Sequence, residues 1–236
     1  MSSIFKNLFL LGRPASGKSE FIDFMKKVPE GVRAAKYHIG PFEEIDDFPW
    51  IWAKFKEDDV WEAAGYPRRY SFGGANPGMS KEGAPLLDFC MAKFNQEVAK
   101  HKTLNTLFIE FSRGGFDGYA KAFSKLDPSI FKKAAILFIH VSYEESCRRN
   151  ESRYQEKLQH SILAHKVPES TMQTFYQTHD WLHLTQDKPD GFLTLGGREV
   201  PFVTMNNTPE LTDPVLLEKR YQPALARLME LTNAHV

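Results

Sequence analysis

An α/β fold built on a mostly parallel sheet is the architecture this 236-residue sequence predicts. Three observations predict it. The apolar runs Phe5 to Leu11, Thr106 to Phe111 and Ala134 to Val141 have the length of strands buried on both faces. Helical patterns separate the runs at the spacing of successive crossover units. The first run leads directly into Gly12-Arg13-Pro14-Ala15-Ser16-Gly17-Lys18-Ser19, a glycine-bearing loop ahead of a helical pattern.

The elements follow in chain order. Phe5 to Leu11 is the first strand, and Lys18 to Val28 is an amphipathic helix carrying Phe21, Phe24, Met25 and Val28 on one side. Pro29-Glu30-Gly31 stops it, and Ala34 to Ile39 is read as a second short strand, followed by the acidic stretch Phe42 to Phe48. Residues 50 to 64 are helical; Tyr66-Pro67 and Gly73 to Gly78 punctuate the chain before a helix over Gly83 to Lys100. A helix over Phe116 to Leu126 separates the two central strands. Tyr143 to Leu163 and Ser170 to Leu182 are helical, Val200 to Met205 is a late strand, and a helix over Leu216 to Leu231 closes the pattern. With no fixed-period repeat and no long polar linker, residues 1–236 are expected to form a single domain.

Composition narrows the function classes. Lys plus Arg equals Asp plus Glu at 30 each, so extensive nucleic-acid binding is not expected, while a local cationic cleft for a small anion is compatible with a neutral total. Cys90 and Cys147 form neither a CxxC nor a disulfide framework, and the scattered histidines make no metal motif. The short opening run contains Lys6 and lacks a cleavage-site context, and no run reaches the length of a spanning helix. A cytoplasmic protein without a membrane partner is the expectation.

The loop at 12 to 19 carries the chemistry. In GxxxxG-Lys-Ser, backbone N–H groups encircle phosphate and the helix start adds positive potential. Gly12 and Gly17 permit the backbone geometry, Lys18 reaches the β and γ phosphates, and Ser19 offers an oxygen to magnesium. The plain alternative is a solvated Lys18 and a Ser19 that caps the helix.

This motif resembles the P-loop kinase branch of the nucleoside-triphosphate proteins, broadly the small-molecule and polynucleotide-kinase-like kinases with an arginine-bearing lid. The resemblance implies a P-loop nucleoside-triphosphate hydrolase fold: a three-layer core, a mostly parallel five-stranded sheet and a helical lid, here residues 143–170, with an acceptor-side segment at 43–82. It implies ATP as substrate, Mg2+ as cofactor, and Gly12, Arg13, Pro14, Ala15, Ser16, Gly17, Lys18 and Ser19 as the nucleotide-binding set.

Further residues are candidates for the transfer itself. Glu110 ends a buried strand, where a carboxylate needs a cation or solvent. By resemblance it holds magnesium or a magnesium-bound water, with Glu where Asp is common. Asp46 and Asp47 stand where similar kinases orient an acceptor hydroxyl or take its proton, within a Glu43-Glu44-Asp46-Asp47 cluster that reads equally as a solvated surface. Arg149 and Arg153 share a helical face; by resemblance they are the lid's contacts to the transferring phosphoryl, and as surface residues they only decorate a helix. Trp50, Trp52, Trp61, Tyr66 and Tyr70 beside Arg68 and Arg69 could wall an acceptor or fill a core. Asn206 and Asn207 match the loop that approaches adenine in related kinases, or a turn before Pro209.

The expected function is ATP-dependent phosphorylation of a small hydroxylated or phosphorylated acceptor, a nucleoside or nucleotide among the candidates. A nucleotide-controlled interaction protein and a simple ATPase are the alternatives. A homodimer is compatible with the sequence.

Overall fold

In a computed structural model, residues 4–101, 105–158 and 165–234 are described. A six-stranded sheet organises them. Its strands are β1 (Asn7–Leu11), β2 (Phe42–Asp46), β5 (Thr106–Phe111), β6 (Ala134–His140), β7 (Asp190–Leu195) and β8 (Arg198–Asn206), in the order β2-β5-β1-β6-β8-β7. The first five in that order run parallel and β7 pairs antiparallel with β8. A separate ribbon joins β3 (Ser71–Phe72) to β4 (Gly78–Met79).

Burial on both faces explains why β1 is central. Leu8 and Leu10 point to one side, among Phe21 and Met25 of α1 (Lys18–Lys27), Tyr37 of α2 (Glu30–Tyr37) and Tyr221 and Leu225 of α9 (Pro214–Ala234). Phe9 and Leu11 point to the other, among Met91 and Phe94 of α4 (Pro85–Lys100), Tyr119 and Phe123 of α5 (Gly118–Lys125) and Trp181 of α8 (Trp181–Thr185). Helices on both faces of a mainly parallel sheet make three layers. The remaining helices are α3 (Phe48–Ala63), α6 (Tyr143–Leu158) and α7 (Glu169–Tyr176).

Four sequence expectations need correction. Residues 34–37 of the strand expected at 34–39 belong instead to α2, which Pro29 precedes as N-cap and His38 ends as C-cap; Arg33 and Tyr37, four apart, bury one face. Arg33 also donates to the carbonyls of Met25 and Val28, tying down the end of α1. The acidic stretch is itself the second strand, with Asp46 as its last residue. The sheet has six strands rather than five, because Gly196 (φ 55°) and Gly197 (φ 73°) form a left-handed two-residue turn that folds β7 back on β8. The helix expected over 170–182 is broken into α7 and α8; Asp180, just before α8, accepts the backbone N–H groups of Tyr119 and Ala120 and so caps α5 from a distance. The helix expected over 143–163 is seen to Leu158, and its last expected turn, like lid residues 159–164, lies outside the described residues.

Candidate active site

Parallel strands place their carboxyl ends together, and ligands of such sheets bind where the chain order reverses. Here that point lies between β1 and β5. The loop 12–17 leaves β1 there and feeds α1, whose first-turn N–H groups have no intrahelical partners. Gly12 (φ 148°) and Gly17 (φ 107°) have backbone angles that side chains disfavour; a Cβ on Gly17 would sit 2.3 Å from Asn207 Nδ2.

Surrounding side chains strap this loop. The Gly12 N–H donates to the Tyr119 hydroxyl (3.2 Å), and the Ser146 hydroxyl donates to the Pro14 carbonyl (2.6 Å). Asn207 Nδ2 donates to the Ser16 carbonyl (2.8 Å). Arg13 is buried and points away from the cleft, donating to the carbonyls of Val141 (2.9 Å), Tyr176 (3.0 Å) and Gln177 (3.1 Å). It therefore joins the loop to the ends of β6 and α7. Pro14, Ala15, Gly17, Lys18 and exposed Ser19 line an open cleft, whereas Ser16 is buried beneath it.

Register explains the charges opposite the loop. Leu10, Glu110 and Asp46 are cross-strand partners on β1, β5 and β2, so one row places the two carboxylates on neighbouring strands, roughly 5 Å apart by sheet spacing. The row faces the side on which α1 packs, and Lys18 opens α1. Lys18 Nζ lies 3.9 Å from Glu110 Oε1 and donates to Ser112 Oγ (2.9 Å) and the Arg13 carbonyl (3.0 Å). Burial pushes the Glu110 carboxyl up to about 7, with Lys18 opposing and Asp46 and Asp47 adding to the rise. Burial, then repulsion from Asp47, pushes Asp46 up to about 6, against the Phe48 N–H that Asp46 Oδ1 accepts.

Asp47 lines the same cleft, but its Oδ2 is 2.6 Å from Arg113 Nη1 in a pair that is almost wholly buried. Arg113, which the sequence reading did not single out, also donates to the Ser112 carbonyl and holds this rim together.

The two arginines expected on the lid part company. Arg153 lines the cleft and pairs with Glu20 of α1 (2.6 Å). Arg149 is 1% exposed, donates to Glu145 (2.7 Å) and to the Asn207 carbonyl (2.6 Å), and is not among the cleft residues. Asn207 thus bonds at once to the loop, to α6 and, through Arg220, to α9. Its role in positioning the loop is hidden in the sequence, where it reads as a residue near adenine or as a turn former. Asn206 does form the local turn, accepting the Thr208 N–H.

The aromatic residues divide as well. Trp52 lines an apolar extension of the cleft, Trp50 packs on Phe94 in the core, and Trp61 and Tyr66 meet each other on the exposed end of α3. Arg68 is held by Asp59, Glu62 and Ser71, and neither it nor Arg69 lines the cleft.

Magnesium suits the oxygen donors present. Ser19 supplies a hydroxyl and Glu110 a carboxylate in one cleft, and Mg2+ takes its other ligands from phosphate and water. Among the described residues no cluster of three or more His, Cys, Asp or Glu side chains forms an all-protein metal cage, and no helix is long and apolar enough to cross a membrane.

No protein-family model matches the chain, and no curated protein does. Solved structures similar to it include an unliganded sugar kinase from a Janibacter species, at 14% identity over 98% of each chain with a TM-score of 0.45. Shikimate kinase from Acinetobacter baumannii in complex with shikimate matches at 13% identity, over 99% of this chain and 95% of that one, with a TM-score of 0.44. The functional reading rests on the site's own geometry.

Proposed function

We propose that this protein is an ATP-dependent phosphotransferase for a small hydroxylated or phosphorylated acceptor, a class that includes nucleosides and nucleotides. One observation carries the reading: the glycine loop with Lys18 faces Asp46 and Glu110 across a single cleft. A phosphate-sized anion held by the loop therefore has a cation on one side and a carboxylate of raised proton affinity on the other.

The chain's residues divide the work. The loop and the start of α1 hold the β and γ phosphates, with Lys18 leaving Ser112 and the Arg13 carbonyl to reach them. Ser19 and Glu110 would hold magnesium, which when bound would supply neutralising charge to the phosphates. Arg153, from the lid, reaches the transferring group on exchanging Glu20 for phosphate oxygen. Asp46 takes the acceptor's hydroxyl proton; a carboxyl titrating at about 6 is ionised near neutral pH yet still basic enough to be a useful acceptor. The acceptor oxygen forms a bond to the γ phosphorus as the bond from phosphorus to the β–γ bridging oxygen breaks. That electron pair leaves with ADP.

Asp46 is preferred over Asp47 because Asp47 is committed to Arg113. Asp46→Asn should lower transfer by about 10²- to 10⁴-fold, the range for a general base, and leave MgATP affinity within a few-fold. The assay is incubation with MgATP and a metabolite pool, with mass-spectrometric detection of phosphorylated products and a parallel nucleotide-binding titration. ATP loss with no phosphorylated acceptor would replace this reading with an ATPase; ATP binding with no turnover would favour a nucleotide-controlled switch.

A further inference from the structure

Beyond Asp46 the cleft continues into an apolar extension. Phe48, Ile51, Trp52 and Phe55 supply one wall, at the spacing that puts them on one side of α3. Met79 of the small ribbon and Tyr176 of α7 face them.

Three features specify what fits there. First, a flat ring already does: the His165 imidazole stacks on Phe48 at 5.2 Å and 10° and on Trp52 at 4.8 Å and 27°. Second, Thr171 lines the extension, is 5% exposed, and its Oγ1 has no hydrogen-bond partner among the described residues, so a buried polar atom awaits one. Third, the only Lys or Arg among the described lining residues is Lys166, whose ammonium is engaged by Glu151 and lies over the Tyr154 ring. Arg113 is neutralised by Asp47. Within the extension an anionic substituent would thus meet, among the described lining residues, no cation without a carboxylate partner, since Lys18, Arg153 and Lys157 line the main cleft and not the extension.

We infer that the acceptor is an uncharged compound with a planar ring and a free hydroxyl, its ring on Phe48 and Trp52 where His165 now stacks, a polar ring substituent at Thr171, and its hydroxyl directed to Asp46. The inference rests on the phosphotransferase reading for the fate of that hydroxyl, but the seat itself is testable without turnover. It decides between the hydroxylated and the phosphorylated acceptor in favour of the first.

The experiment is calorimetric titration of the full chain, without nucleotide, with four probes: thymidine, 2-phenylethanol, glucose and thymidine 5′-monophosphate. Thymidine is expected to bind at least tenfold more tightly than glucose or the monophosphate, and 2-phenylethanol measurably but more weakly, because it lacks a group for Thr171. Trp52→Ala should weaken thymidine binding at least tenfold; Trp52→Leu, which keeps apolar volume, should do the same if stacking is the cause and guards against a folding defect. His165→Ala should preserve or tighten binding, and Thr171→Val should weaken thymidine but not 2-phenylethanol. Tighter binding of glucose or of the monophosphate, no binding of either ring alcohol, or indifference of thymidine to both Trp52 variants would overturn the inference. Repeating the titrated mixtures with MgATP separates the two levels. Ring-alcohol binding without a phosphorylated product upholds the seat and removes the phosphotransferase reading. Transfer to glucose or to the monophosphate, with no ring-alcohol binding, does the reverse.

Discussion

Removing the Asp47 carboxylate should cost stability rather than chemistry. Asp47 and Arg113 are 8% and 4% exposed, with Nη1 to Oδ2 at 2.6 Å, so Asp47→Ala leaves a guanidinium in the interior without its counter-charge. Breaking a buried pair in this way costs about 3–5 kcal/mol. For a chain of this size, at about 2–4 °C per kcal/mol, the melting temperature should fall by roughly 6–20 °C. Removing both charges tests the cause. Asp47→Leu with Arg113→Met deletes the buried ions together, and the melting temperature should recover most of the loss, short of about 1 kcal/mol for each further Arg113 bond, to the Ser112 and Leu87 carbonyls. Asp46→Ala is the control: it loses the bond from the Phe48 N–H but relieves a carboxylate that burial disfavours, so its melting temperature should move little. Calorimetric melts of the four proteins read the comparison directly. A parent-like melt for Asp47→Ala, or a double variant as unstable as the single one, would show that the pair does not bear on stability and would return Asp47 to the list of candidate bases.

Two further outcomes follow from the same cleft. Glu110 is raised in the folded chain from 4.5 to about 7, so its contribution to stability is full below about 4.5 and is lost as pH rises through 7. Glu110→Gln should accordingly gain on the parent by about 1–3 kcal/mol between pH 5 and pH 8 in chelator; urea unfolding giving the same difference at both pH values would refute it. Gly17→Ala places a Cβ 2.3 Å from Asn207 Nδ2 at a φ of 107°, and should cost about 2–4 kcal/mol, with partial recovery when Asn207→Ala clears the contact. A parent-like melt for Gly17→Ala would count against the strained loop.

The parts of the fold that the sequence discloses are those whose signal is local. The β1, loop and α1 unit reads directly, because an apolar run, two glycines and a 3.6-residue stripe all fall within one short stretch. Strands β5 and β6 read as well, being apolar on both faces. Strand β2 does not, since as an edge strand it carries Glu43, Glu44 and Asp46 and imitates a charged loop. The helix α2 is masked because Tyr37 and Ile39, at the end of the expected strand, have a character that suits a strand, whereas Tyr37 packs from a helix into the cluster that holds Tyr221 and Leu225 of α9. Strand β7 had a usable signal in Gly196-Gly197 between two apolar stretches, the pattern of a two-residue hairpin.

The site divides along the same line, and the division explains why the arginines misled. Lys18 and Ser19 sit where the motif alone would put them, because a strand, a tight loop and a helix leave little conformational choice. Arg149 and Arg153 share one helical face by spacing, yet a face is not a direction: α6 turns so that one side chain meets Glu145 and Asn207 inside, while the other reaches the cleft. The acids show the stronger dependence on topology. Asp46 and Glu110 become neighbours only because β5 inserts between β2 and β1, with Asp46 level with Glu110 and Leu10. A shift of β2 by one residue would turn Asp46 to the opposite face and bring Asp47 into the row, since side chains alternate along a strand. The choice between two adjacent aspartates is therefore a statement about register, and Arg113 fixes it by giving Asp47 a buried partner on the far side of that row.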